Sequence, residues 1–266
     1  MTTQPRWMRE AVPPLLLMGF VLLTWHVVAE RSGLSAFILP SPAHVLQAGW
    51  ETRARLGSAI AITLLETALG LTLAIIVGVL IAAAMDFSPF LRRALYPILV
   101  ASQTVPILAI APLLIIWFGF GLLPKVLIVI LICFFPLAIN TADGLASADP
   151  DHVALLRAMG ATRAQVWRLV RLPSALPAFF SGLRVAATYS IIGATIGEWV
   201  GGSEGLGVYL LRSKNALATD QVFVAIAATA VLSIGLYVLV YGIERAALPW
   251  YYSAQRAQHW EEAGIY

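Results

Sequence analysis

Residues 59–84 read AIAITLLETALGLTLAIIVGVLIAAA, an apolar run in which Glu66 is the only charged residue. A helix needs about 20 apolar residues to cross the ~30 Å hydrocarbon core of a bilayer. Similar runs recur along the chain of 266 residues, which is 60% apolar and 12% charged, with a mean hydropathy of +0.84. Soluble domains carry about 25% charged residues. The sequence therefore predicts an all-α polytopic membrane protein.

The apolar runs predict about six transmembrane helices, at residues 12–29, 59–84, 98–118, 126–141, 178–200 and 222–243. The first run resembles a signal peptide, since VVA precedes Glu30, but the spans that follow favour an uncleaved anchor. We divide the chain into an N-terminal anchor helix with an outer polar segment (1–58), a core (59–245) and a C-terminal tail (246–266).

Basic residues set the orientation of a membrane protein. If the N-terminus lies inside, the inner segments hold more of them than the outer segments, so we expect both termini in the cytoplasm. The inner residues are Arg6, Arg9, Arg92, Arg93, Arg157, Arg163, Arg168, Arg171, Arg245 and Arg256. The outer residues are Arg31, Arg53, Arg55, Lys125, Arg212 and Lys214. The net charge of +3 therefore reflects topology and does not indicate nucleic-acid binding.

Between the fourth and fifth spans, residues 155–186 read LLRAMGATRAQVWRLVRLPSALPAFFSGLRVA. Asp149 suits a helix N-cap, Pro150 the first turn and Gly160 a left-handed C-terminal residue, which predicts a short helix from Pro150 to Met159. Thr162 and Gln165 have the spacing of a capping box. They predict a second, basic helix that ends at Pro173. Such a segment is either a docking element for a partner or an interfacial loop that touches anionic lipid headgroups.

This segment resembles the cytoplasmic loop of permease subunits of ATP-binding-cassette (ABC) importers, whose pattern is E-A-A, three residues, Gly, nine residues, then a hydrophobic residue before L-P. Gly160, Leu172 and Pro173 match, whereas Ala154-Leu155-Leu156 lacks the opening acid. Three further segments resemble the branch that imports nitrate, taurine, alkylsulfonates and thiamine-precursor pyrimidines: LPSPAHV (39–45), SQTVPILAIAPLLIIWFGFG (102–121) and GEWVGGSEGLGVYL (197–210).

The resemblance implies a type I importer permease of the MetI-like fold, acting as a homodimer in a bacterial inner membrane. It also implies two ATPase subunits that hold ATP and Mg, an external substrate-binding protein, and no cofactor, metal or enzymatic activity on this chain. The chain contains no phosphate-binding G-x-x-x-x-G-K-[ST] motif. The coupling loop, at about residues 148–173, would comprise Ala154, Leu155, Leu156, Arg157, Met159, Gly160, Ala161, Leu172 and Pro173.

Polar residues inside spans are costly and are candidates for a translocation path. The set we favour is Gln103, Thr104, Tyr189, Ser190, Glu198 and Trp199; Glu66, Asn140, Thr141 and Thr195 qualify too, although hydrogen bonding between helices also explains hydroxyls. The Glu198–Trp199 pair suits a hydroxymethylpyrimidine-type heteroaromatic, with taurine, alkylsulfonate or nitrate as alternatives. Arg184 is expected either to extend to the headgroups, which we favour, or to pair with a carboxylate.

Two other classes of function remain open. An ion-coupled secondary transporter would need a buried carboxylate, and Glu66 is the only deeply placed candidate. A membrane-embedded lipid-headgroup transferase would use clustered aspartates, which ADGLASADPD (142–151) resembles superficially. However, an N-cap role accounts for Asp149 without chemistry.

Overall fold

The computed structural model describes residues 6–33, 35 and 37–253. Of the C-terminal tail, residues 254–266, which include Arg256, lie outside this range. The described chain folds into eleven α-helices and one π-helical turn. They are α1 (Arg6–Arg31), α2 (Pro42–Glu51), α3 (Arg53–Phe87), α4 (Pro89–Ser102), α5 (Ile107–Phe118), α6 (Leu122–Ala146), α7 (Pro150–Ala158), α8 (Arg163–Val166), the π-turn (Trp167–Arg171), α9 (Leu172–Gly201), α10 (Leu206–Asn215) and α11 (Thr219–Ala247).

Five of these helical segments are long and apolar enough to cross a membrane, and the pair α4–α5 makes a sixth if it crosses as one broken span. The prediction of about six spans is confirmed in this sense. The helix α6 packs against α3 on one side and α9 on the other, and α11 packs against α9. We call the end of this bundle that carries residues 147–171 the loop end, and the other the opposite end.

The third predicted span is wrong as a single helix. Helices α4 and α5 are bent by 99° at residues 103–106. Pro106 explains the break, because it lacks an N–H and disfavours helical geometry at Val105. Leu99 packs in a cluster with Ala138, and Ile107 in a cluster with Ile128, so the break lies beside the middle of α6.

The prediction that Pro173 ends the basic helix is also wrong. Residues 163–201 run as one helical segment. At the π-turn, the amide of Leu172 donates to the carbonyl of Trp167, and this wider turn lets the helix continue. Pro173 then lies in the first turn of α9, where the missing N–H costs little. The basic helix and the fifth span are therefore parts of one rod.

Small residues bring the central helices into close contact. A Cβ atom on Gly182 of α9 would lie 2.6 Å from the backbone oxygen of Pro136 in α6. Close backbone approach through small residues is the usual way in which membrane helices associate. The α6–α9 interface thus forms the rigid centre of the bundle.

We expect Gly182→Ala to lower the melting temperature of the purified chain, because overpacking at this contact costs about 1–3 kcal/mol. Gly235 is the matched control, since a Cβ atom there meets nothing within 4 Å. Gly235→Ala should raise the melting temperature slightly through helix propensity. Equal melting temperatures for the two variants would contradict the tight α6–α9 contact.

Candidate functional site

The short helix α7 forms where the sequence predicted it. The Asp149 side chain accepts a hydrogen bond of 2.8 Å from the amide of Asp151, and Pro150 occupies the first turn. The helix ends at Ala158, and Gly160 adopts a φ of +84° in the left-handed region that favours glycine. The second predicted cap is confirmed too, because Thr162 and Gln165 form both bonds of a capping box.

Helix α7 has two different faces. Val153 is only 8% exposed and faces the protein, and Arg157 follows it one turn later. Leu155 and Met159 are 59% and 74% exposed. At 100° per residue, they lie nearly opposite the side of the helix that carries Val153 and Arg157. Apolar side chains so exposed outside the long spans indicate a contact surface.

A groove of about 400 Å³ runs between α7 and the start of α9. It is lined by His152, Leu155, Leu156, Leu169, Val170, Pro173 and Ser174. The structure therefore brings three residues of the predicted coupling set, Leu155, Leu156 and Pro173, to one groove. Of the others, Ala154, Met159 and Gly160 are exposed, Ala161 and Leu172 are half-buried, and Arg157 lies on the other face of α7.

The loop is tied to the spanning helices by long-range contacts. A guanidinium nitrogen of Arg171 binds Asp86 at the end of α3, and the Trp167 ring stacks on Phe87 with the ring centroids 5.8 Å apart. Asp86 is mostly buried. These contacts join the loop directly to the end of α3.

Four of the predicted path residues have exposed side chains. Gln103 and Thr104 lie at the α4–α5 break, and Tyr189 and Trp199 lie on the outward surface of α9. Ser190 is fully buried, and its hydroxyl donates to the carbonyl of Ala187. It therefore supports the helix backbone and does not face a path in this structure.

The interpretation of Glu198 as a substrate contact needs correction. This residue is 1% exposed and both its carboxylate oxygens are occupied. The Thr63 hydroxyl donates to Oε1 at 2.5 Å and the amide of Gly207 donates to Oε2. The Thr63 oxygen also accepts from the amide of Leu206 at 2.9 Å. Glu198 thus fixes the N-terminus of α10 to α3 and α9.

Lys125 was counted as an outer loop residue, and this was wrong. It lies in the first turn of α6, where its ammonium contacts Glu66 Oε1 at 2.5 Å. Both side chains are at least nine-tenths buried. Buried charged groups are tolerated in a protein interior when they are paired. Because Glu66 is on α3 and Lys125 is on α6, the pair connects these two helices. We call Thr63, Glu66, Lys125 and Glu198 the buried polar cluster.

The favoured interpretation of Arg184, extension to the headgroups, is wrong, because its side chain pairs with a carboxylate. Its guanidinium lies 3.1 Å from Glu244 Oε2 in α11, and the Tyr252 hydroxyl donates to Glu244 Oε1 at 2.9 Å. The sequence offered one signal for this pair, since the two opposite charges lie in the halves of α9 and α11 that are nearer the loop end. Asn140, Thr141 and Thr195 each donate to a carbonyl four residues earlier in their own helix.

The aspartates that suggested a transferase have structural partners. Asp143 lies 3.2 Å from Arg92, and Asp149 caps α7. Within the described ranges, no group of three or more His, Cys, Asp or Glu side chains could hold a metal ion. The one deeply placed carboxylate expected for ion coupling, Glu66, is paired with Lys125.

Comparison with known proteins identifies the architecture. Residues 70–249 match the family described as binding-protein-dependent transport system inner membrane component. The formylaminopyrimidine transport permease protein of Halalkalibacterium halodurans is 35% identical, over 91% of this chain and 96% of that protein. The taurine transport system permease protein of Escherichia coli is 32% identical, over 94% of each chain.

A solved structure shares the fold. The chain superposes on a subunit of the inward-facing MetNI methionine ABC transporter with a TM-score of 0.59 and 21% identity, over 75% of this chain and 97% of that one. At this identity the likeness concerns the fold alone. The prediction of a MetI-like permease fold is confirmed.

Proposed function

Because the chain belongs to the family of binding-protein-dependent transport system inner membrane components, and so is an importer permease of the ABC type, we propose that it carries a thiamine-precursor pyrimidine across the inner membrane, driven by separate ATPase subunits. The observation that carries the proposed coupling to ATPase subunits is α7, a capped helix with exposed Leu155 and Met159, held between two spanning segments. A short apolar helix in a groove is a common way to bind a partner.

In this proposal two ATPase subunits hold ATP and Mg, and this chain binds no cofactor. Nucleotide-driven closure of the ATPases moves α7, and the contacts of Arg171 with Asp86 and of Trp167 with Phe87 pass the movement to α3. The loop end then faces the cytoplasm together with both termini. The opposite end, which carries α10, faces the external binding protein.

A second copy of the chain completes the path. Gln103 and Thr104 lie exposed at a break beside the middle of α6, and the Thr104 hydroxyl donates to the carbonyl of Ala101. Contact with lipid would leave the Gln103 amide without a polar partner. A homodimer that faces these breaks toward each other places the amide and hydroxyl groups along a shared passage. Tyr189 and Trp199 expose aromatic rings on α9 and would contribute flat apolar surfaces.

A pyrimidine is favoured by the relative that carries formylaminopyrimidine and by the chemistry of these residues. Aromatic rings stack on flat heteroaromatic ligands, and amide and hydroxyl groups can bind ring nitrogens without a full charge. The alternative substrates are taurine, which the Escherichia coli relative carries, an alkylsulfonate or nitrate.

Uptake in cells that lack this chain and carry it back on a plasmid tests the substrate. We expect the chain to restore uptake of radiolabelled formylaminopyrimidine, with unlabelled pyrimidine but not taurine competing. Tyr189→Ala should raise the KM about tenfold, whereas Tyr237→Ala, a similarly exposed tyrosine on α11, should not. Restored uptake of taurine in place of the pyrimidine would overturn the substrate assignment and leave the permease role intact.

A further inference from the structure

A basic cavity of about 270 Å³ lies at the loop end, on the far side of α7 from Leu155 and Met159. It is enclosed by the end of α3, the start of α4 and the helical segment after Gly160. The lining residues are Asp86, Phe87, Pro89, Arg157, Arg163, Val166, Trp167 and Arg171. The exposed residues Leu155 and Met159, which we assign to the ATPase contact, do not line this cavity.

The cavity carries uncompensated positive charge. Arg171 is neutralised by Asp86. Arg157 and Arg163 make no ion pair with any side chain of residues 12–33, 35 and 37–253. Two free guanidinium groups on one cavity favour an anion with several oxygens, because guanidinium binds phosphate through paired N–H donors.

The Trp167 side chain lines the same cavity. The Trp167 Nε1–H is buried and has no hydrogen-bond acceptor within the described part of the chain. A buried donor without a partner is costly and is rare in folded proteins. Trp167 also opens the π-turn, a distortion that is frequent at functional sites.

The position of the cavity identifies the source of the anion. Phe87 is the last residue of the spanning helix α3, and Phe90 lies in the first turn of α4. Their side chains are 61% and 78% exposed, shortly after the end of the apolar run 59–84. Basic pockets at the cytoplasmic ends of spans bind anionic lipid headgroups. An occupant with both an anionic group and acyl chains fits arginines beside exposed phenylalanines.

We infer that the basic cavity binds the phosphate of an anionic phospholipid, with Arg157 and Arg163 as its donors and with Phe87 and Phe90 against the acyl chains. The inference concerns lipid recognition by this chain alone and does not depend on the transported substrate. It assigns Arg163 to the membrane together with Arg157, which the family resemblance placed in the coupling set, and it assigns the exposed Leu155 and Met159 to the ATPase.

Fluorescence quenching of the purified full chain by brominated lipids tests the inference. Brominated phosphatidylglycerol should quench a component that Trp167→Phe removes, and brominated phosphatidylcholine should not. Each arginine near an anionic lipid contributes about fivefold in affinity, so Arg157→Gln with Arg163→Gln should weaken phosphatidylglycerol binding about 25-fold. Arg168→Gln is the matched control, because Arg168 is exposed on the same segment but does not line the cavity.

The double variant Arg157→Lys with Arg163→Lys keeps the charge and should retain most of the binding, which separates loss of the site from misfolding. Equal quenching by the two lipids, or an equal loss in Arg168→Gln, would overturn the inference in favour of unspecific attraction to a charged surface. Displacement of the lipid by millimolar inorganic phosphate would assign the site to free phosphate. Loss of quenching when the ATPase subunits bind would assign it to their acidic side chains.

Discussion

Replacing Leu155 and Met159 together by aspartate is expected to abolish ATP-driven uptake while the chain still folds. Both side chains are exposed on one face of α7, so the substitutions remove no core contact. In the complex that we propose, they are desolvated by the ATPase subunit. Apolar residues at the centre of an interface each contribute about 2 kcal/mol or more. Two such losses weaken binding roughly 1,000-fold.

Co-purification of the ATPase subunit with the tagged chain measures the effect directly, and uptake measures its consequence. Leu46→Asp is the control, because Leu46 is 76% exposed on α2, away from the loop. The control should bind the ATPase as well as the unmodified chain. Full ATPase binding by the Leu155/Met159 variant would show that α7 is not the docking helix.

The second large effect is expected at the buried polar cluster. Lys125→Met removes the cation that pairs with Glu66, which stays buried inside the helix bundle near its opposite end. Removal of one partner from a buried ion pair costs about 3–5 kcal/mol, because the remaining charge is uncompensated. The variant should unfold at a markedly lower temperature in detergent. A second change, Glu66→Gln, removes the orphaned charge and should recover much of the loss.

The only other lysine in the chain provides the control. Lys214 is exposed on α10, and Lys214→Met should alter stability by no more than about 0.5 kcal/mol. A double-mutant cycle over Glu66 and Lys125 then gives the coupling energy of the pair. Additive effects of the two single substitutions would contradict the ion pair that joins α3 to α6.

Local sequence rules predicted the parts of the site that depend on neighbours in the chain. Asp149 and Gly160 bound α7, and Thr162 with Gln165 starts the next helix, because caps involve residues only a few positions apart. The other spans were equally predictable from hydrophobic length, whereas the 99° bend inside the third span was not. The family resemblance added the MetI-like arrangement of these spans, which periodicity could not supply.

Contacts between distant parts of the chain were not predictable in this way. Lys125 looked like a loop residue because its partner Glu66 lies on another helix, and Arg184 looked solitary because Glu244 is on α11. Pro173 was read as a helix end since a single proline cannot reveal the π-turn that precedes it. Glu198 seemed free for substrate because its donors, Thr63 and Gly207, come from elsewhere in the fold.

Transport by reconstituted vesicles tests the central claim most directly. The chain, its partner ATPase subunits and the binding protein are placed in liposomes, and uptake of labelled formylaminopyrimidine is followed with ATP or with an imposed ion gradient. We expect uptake only when the ATPase subunits and ATP are present, and none with the Leu155/Met159 variant. Uptake by the chain alone, driven by a proton or sodium gradient without ATP, would contradict the account and identify a secondary transporter.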